Sequence, residues 1–167
     1  MGSNKMILQI YTIIHTLISL VAIFTGFVVL LELLAGNRVD RWTKWFLISA
    51  VATTVTGFFF PFHGITPAIK VGIISSVVLL ITIYARYAKH LAGAWRGIYV
   101  VGASLALYFN VFVGIVQSFE KIPALKAMAP TQSESPFKLT QLVALALFVL
   151  LTLVAVIRFR PEPIRVR

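Results

Sequence analysis

The chain has 167 residues, of which 59% are hydrophobic and 12% charged, with a net charge of +10 and no cysteine. A soluble domain is roughly 45–50% apolar and about 25% charged, and so short a chain has too little interior to hide the excess, which excludes a water-soluble globule and calls for lipid as the solvent. The absence of cysteine excludes disulfides, dithiol exchange and thiolate metal sites, and the basic residues fall in short clusters between apolar runs, a pattern that argues against nucleic acid as a partner.

The first apolar run starts weakly at Lys5, shows no small-residue cleavage pattern and continues to Leu34. A signal h-region has only about 7–15 residues, so this run reads as a retained membrane span. A transmembrane helix needs about 20 mostly apolar residues. Five runs qualify, at about 7–34, 45–61, 67–84, 95–119 and 137–157, and predict an all-α polytopic membrane protein forming a single domain. Gly36 and Asn37 close the first run, and Asp40 is placed to cap the second. Thr66 before Pro67 and Ser135 before Pro136 read as N-caps followed by proline in the first turn. The hairpin from Pro61 to Pro67 is short enough that runs two and three also fit a re-entrant pair. The loop Glu120 to Pro136 is the longest; its stretch from Pro123 to Ala129 suits a short interfacial helix, and as a whole it suits a lid or a plain connector.

Charge sets the orientation. Arg38, Arg41 and Lys44, then Arg86, Lys89 and Arg96, then Arg158, Arg160, Arg165 and Arg167 lie on one side of the predicted membrane; Lys5, Lys70, Lys121, Lys126 and Lys138 lie on the other. Every arginine is on the first side, so that side is expected to be cytoplasmic, with the N-terminus outside the plasma (inner) membrane and the C-terminus inside. Trp42, Trp45 and Trp95 sit beside basic residues at span ends, where indoles favour the interface. The arginine-rich tail suits anionic lipid headgroups as well as a stop-transfer role.

Small residues at four- and three-residue spacing form stripes: His15, Ser19, Ala22 and Gly26 in the first span, Ser49, Thr53 and Gly57 in the second, Ala68, Gly72 and Ser76 in the third, and Gly102, Ala106, Asn110 and Gly114 in the fourth. The fifth span has none, which predicts a four-helix core with a peripheral fifth helix. The same stripes serve equally well between copies in a homo-oligomer.

Polar groups inside the spans are few. Asn110 shares a face with Gly114 and Gln117, and an interhelical hydrogen bond is its plain role. His15 lies about 28 Å along its helix from Leu34, and His63 about 27 Å from Trp45, so both fall near the extracytoplasmic boundary. Glu32 lies near the cytoplasmic end of its span, within reach of Arg38 or water. His90 reads as a solvated loop residue. No Walker loop, dinucleotide turn, nucleophile elbow or His-Glu-x-x-His run is present, and the sole aspartate, Asp40, rules out a paired-aspartate hydrolase. The expectation is therefore not an enzyme but a ligand-binding or transport-type module, with His15, His63, Asn110 and Gln117 lining a site near the extracytoplasmic leaflet. The alternatives are a structural or accessory subunit of a larger membrane complex, and a redox protein using the histidines for haem or a quinone.

Overall fold

The computed structural model describes residues 2–61 and 67–160. It therefore leaves His63, Thr66, Arg165 and Arg167 outside the described residues. Six helices follow in order: α1 Gly2–Ala35, α2 Asp40–Gly57, α3 Pro67–Ile83, α4 Trp95–Lys121, α5 Pro123–Met128 and α6 Ser135–Arg158. A π-helical turn, Tyr84–Ala88, prolongs α3, and α5 occupies the stretch read as a short helix in the longest loop.

Four helical segments are long and apolar enough to cross a membrane: Asn4–Ala35, Ile69–Ala88, Trp95–Lys121 and Ser135–Arg158. The second predicted span is the exception. Its helix begins at Asp40 and ends at Gly57, so its 18 residues include Asp40, Arg41 and Lys44 and carry less apolar length than the other four. Phe58 to Pro61 leave the helix, as expected where a proline approaches and disfavours the α conformation of the residue before it.

Pairs of touching residues fix the helix directions. Tyr11 meets Thr56 and Gly26 faces Phe46, so α1 and α2 are antiparallel. Thr54 with Ser75, and Phe58 with Gly72, set α3 antiparallel to α2. Thr82 lies against Gly102 and Tyr84 against Trp95, so α4 turns back along α3. Tyr108 with Phe148 and Phe119 with Phe137 make α6 antiparallel to α4, whereas Phe27 with Phe148 and Arg158 with Leu34 make it parallel to α1. Five long helices thus alternate in direction, with α4 packed against α1, α3 and α6.

This alternation sorts the charges. Every described arginine, with Lys44 and Lys89, lies at the end holding the C-termini of α1, α3 and α6; Lys5, Lys70, Lys121, Lys126 and Lys138 lie at the opposite end. Burial is sorted too. The core is made of Val29, Leu30 and Leu33 of α1, Phe46, Leu47 and Ala50 of α2, Leu79 of α3, Tyr99, Val100, Ala103 and Leu107 of α4, and Phe148 and Ala155 of α6, all in the arginine half. In the lysine half no described residue is buried over 4–21 of α1, 51–57 of α2, 69–74 of α3, 108–118 of α4 or 135–147 of α6. α6 buries only Phe148 and Ala155 along its length.

The small-residue stripes explain the close contacts of the arginine half. Ala22, Gly26, Ser49, Gly102 and Ala106 are all buried. A Cβ on Gly26 would stand 2.6 Å from Leu107 Cδ1 and 2.8 Å from Phe46 Cε2. At Gly102 it would run into Thr82 Oγ1 and stand 3.2 Å from Thr82 Cβ. Thr82 is fully buried and its hydroxyl donates to Val78 O at 2.6 Å, so it cannot rotate away without losing that bond. We expect Gly102→Val to cost about 1–3 kcal/mol through overpacking, read as a lowered midpoint of thermal unfolding in detergent, with Thr82→Ala in the same chain restoring part of the loss.

Candidate polar sites at the two ends of the bundle

At the lysine end, α1 and α2 bring three polar groups and an aromatic ring together. His15 Nδ1 is 2.8 Å from Thr56 Oγ1. The Tyr11 hydroxyl donates to Thr56 O at 2.5 Å one turn above. Both rings meet Phe60 edge-on, His15 at 5.1 Å and 84° and Tyr11 at 5.0 Å and 61°. Gly57 faces the imidazole, and a Cβ there would stand at ordinary contact distance, 3.8 Å from His15 Cε1. Tyr11 also lines an open groove of about 470 Å³ with Asn4, Ile7, Leu8, Phe59 and Pro61.

The other sequence candidates are placed differently. Asn110 is half-buried and its Nδ2 donates to Ala106 O of its own helix at 2.9 Å. Gln117 Nε2 donates to Glu120 Oε2 at 3.4 Å, again within α4. Among the described residues no hydrogen bond joins either to His15, and neither lines the groove. At this end the hydrogen bonds tying α4 to its surroundings come from residues not singled out: Gln141 of α6 donates to Phe112 O at 3.2 Å, and Gln132 of the long loop donates to Val116 O at 3.0 Å. The loop is therefore laid on α4, with its own Ala129 fully buried. Amide side chains distant in sequence give no local signal of such a bond.

At the arginine end the structure gathers a cluster that the sequence does not announce. Arg86, in the π turn, is buried with a side chain only 3% exposed. It is paired with Asp40, and its guanidinium lies 5.1 Å from the Tyr99 ring centre. Tyr99 is itself buried and shares a 3.1 Å hydrogen bond with Thr43. Asp40 is thus an ion-pair partner and not a cap: α2 follows Val39 with no side-chain cap, and the Asp40 carboxylate also accepts from Arg38 Nε at 2.8 Å. Glu32 accepts from Asn37 Nδ2 at 2.8 Å instead of meeting Arg38. α6 likewise starts at Ser135 without a side-chain cap, one residue before the start implied by capping at Ser135. Arg96 of α4 donates to the carbonyls of Val156 and Phe159 at the end of α6. His90 is exposed, in a left-handed turn at φ 49°. Among the described residues no group of three histidine or acidic side chains is arranged to hold a metal ion.

Comparison with protein-family models, curated proteins and solved structures gives no match, so the residues themselves carry the functional argument.

The Asp40 carboxyl is held below the usual carboxylate range, first by the Arg38 hydrogen bond, against partial burial and with the charges of Arg86 and Arg38 adding. A depressed acid contributes stability that is present above its unfolded value, about 3.9, and is lost as pH falls through the folded value. Asp40→Asn leaves Arg86 buried without a carboxylate. It should lower the unfolding midpoint at pH 7, and the gap to the wild type should be full above about pH 5 and should shrink as pH falls from about 4 through the lower folded value. A gap of the same size at pH 3.5 and pH 7 would show that the carboxylate charge is not what holds Arg86.

Proposed function

We propose that the chain is an integral membrane protein with five crossings, its arginine end cytoplasmic, that binds an amphipathic ligand at the extracytoplasmic lysine end and serves as a binding or transport-type module. The five-crossing reading is supported by the alternation of the long helices and by the course of α2, which runs beside α1 from Gly26 to Tyr11, about 22 Å at 1.5 Å per residue. The orientation follows from the arginines gathered at one end. Because the chain has no native cysteine, single cysteines test it directly. In intact cells Ser133→Cys should react with a membrane-impermeant maleimide and Arg41→Cys should react only after permeabilisation; the reverse pattern overturns the orientation.

The observation that carries the ligand site is the loosened lysine half of the bundle. Packing there leaves polar side chains half-buried in place of a sealed apolar core, among them Tyr11, His15, Ser19, Thr53, Asn110, Gln117 and Gln141. Polar groups inside a membrane span are costly and tend to mark a functional site. His15 uses Nδ1 for Thr56, so Nε2 is the nitrogen left to meet a ligand, and the adjoining groove offers apolar walls in Ile7, Leu8, Phe59 and Pro61 with polar points in Asn4 and Tyr11. That combination suits a molecule with a hydrogen-bonding head and an apolar body, such as a quinone or a lipid.

Mass spectrometry of the organic extract from protein purified out of its native membrane should find one such molecule retained. Tyr11→Phe and His15→Ala should each weaken rebinding of a short-chain benzoquinone or of the extracted lipid by roughly tenfold, the worth of one hydrogen bond of about 1.4 kcal/mol. No retained quinone, lipid or haem, together with unchanged thermal stability in His15→Ala/His63→Ala, removes the site; co-purification with a larger complex in that case favours the accessory-subunit reading.

A further inference from the structure

The arginine end holds a second cavity, of about 220 Å³, lined by Arg38, Asp40, Lys44, Arg86, Tyr87 and His90. Three permanent cations face one carboxylate there, and His90 adds a ring that donates or accepts. Arg86 is the unusual member: a guanidinium whose side chain is 3% exposed, held from behind by the Tyr99 ring at 5.1 Å and beside Tyr87 at 5.9 Å. A guanidinium has five N–H donors, of which those on Nη2 serve Asp40. The Nε and Nη1 groups have no hydrogen-bond partner among the described residues, although Arg86 lines the cavity. A buried, oriented guanidinium with spare donors, flanked by a second arginine and a lysine, is the chemistry that recognises phosphate oxygens in a forked geometry.

Asp40 is the group that opposes an anion, and its position limits that opposition. Its side chain is 65% exposed and it is shared between Arg38 and Arg86, so it neutralises one charge of three. It also fixes the two guanidinium groups relative to each other before any anion arrives. α2 begins at the cavity with its first turn uncapped by any side chain, which favours negative charge at that point.

The aromatic surroundings identify the depth. Trp42, Trp45, Tyr84 and Tyr87 are exposed around this end, and Lys89 Nζ lies over the Tyr84 and Trp95 rings at 5.5 and 5.7 Å. Such a belt belongs at the headgroup level of a bilayer.

We propose that this cavity is a phosphate site, filled by the headgroup phosphate of an anionic phospholipid or by a free phosphate. It is independent of the ligand site at the lysine end, and only its lipid form draws on the membrane placement. The full chain in neutral detergent would be followed by tryptophan fluorescence during thermal unfolding while short-chain phosphatidylglycerol, or inorganic phosphate, is added at constant ionic strength. Either addition should raise the midpoint in a saturable way. A response to phosphatidylglycerol alone assigns the lipid headgroup, and a response to inorganic phosphate assigns the free anion. Arg38→Ala/Lys44→Ala removes two exposed cations and leaves the Arg86–Asp40 pair in place. It should weaken the apparent affinity by about thirtyfold, roughly fivefold for each basic group, while Lys121→Ala/Lys126→Ala at the other end leaves it unchanged. The proposal is overturned if neither anion shifts the midpoint, or if the Arg38/Lys44 variant responds within about twofold of the wild type while retaining its helical circular dichroism.

Discussion

Close approach of backbones through small residues is the constraint on which the arrangement depends. Apolar side chains cover the outside of this bundle as well as its inside, Phe24, Leu31, Leu80 and Leu150 being more than half exposed, so that apolarity alone does not tell the helices which faces to join. What distinguishes one face from another is how near the neighbour can come. Gly26 admits Leu107 and Phe46, Gly102 admits Thr82, and Gly72 admits Phe58, with the nearest atom in each case no more than about 3 Å from where a Cβ would be. These contacts put α4 against α1 and α3 and place α2 between α1 and α3.

The two halves of the bundle then diverge in character. In the arginine half the close contacts are backed by a continuous apolar core and by long-range contacts of three arginines: Arg86 with Asp40 and Tyr99, Arg96 with the carbonyls at the end of α6, Arg158 with Leu34 O. In the lysine half the same helices carry threonines, amides and the His15 imidazole at partial burial, and most of their hydrogen bonds return to their own helix, as for Thr12, Ser19, Asn110 and Ser118. With a tight half beside a loose half, one end of the bundle can open locally while the other holds the fold, because local stability need not be uniform.

Much of this was legible in the sequence, for a simple reason. Apolar runs of span length are long-range averages, insensitive to any one residue, so the long helices and their order could be read directly. Small-residue spacing located Ala22, Gly26, Gly102 and Ala106, which are buried as the stripes require. The polar pairings were not legible. Asp40 looked like a cap because its position before an apolar run is what capping demands, yet its partner is Arg86, 46 residues away. Arg86 looked like a loop charge because nothing local reveals that a π turn and the Tyr99 ring will enclose it. His15 was found because a lone imidazole in a span is conspicuous, whereas Thr56 and Tyr11, which hold or accompany it, resemble the other hydroxyl groups of their helices.

The seat of α6 has a consequence for biogenesis. This helix is buried at Phe148 and Ala155, Phe159 just past its end is fully buried, and Arg96 grips the carbonyls of Val156 and Phe159. The latch is therefore made only after the four preceding long helices have been synthesised, and until then the α6 surface of α1 and α4 stays uncovered. A chain interrupted within the last turn of α6 would keep most of that helix and lose the carbonyls that Arg96 holds.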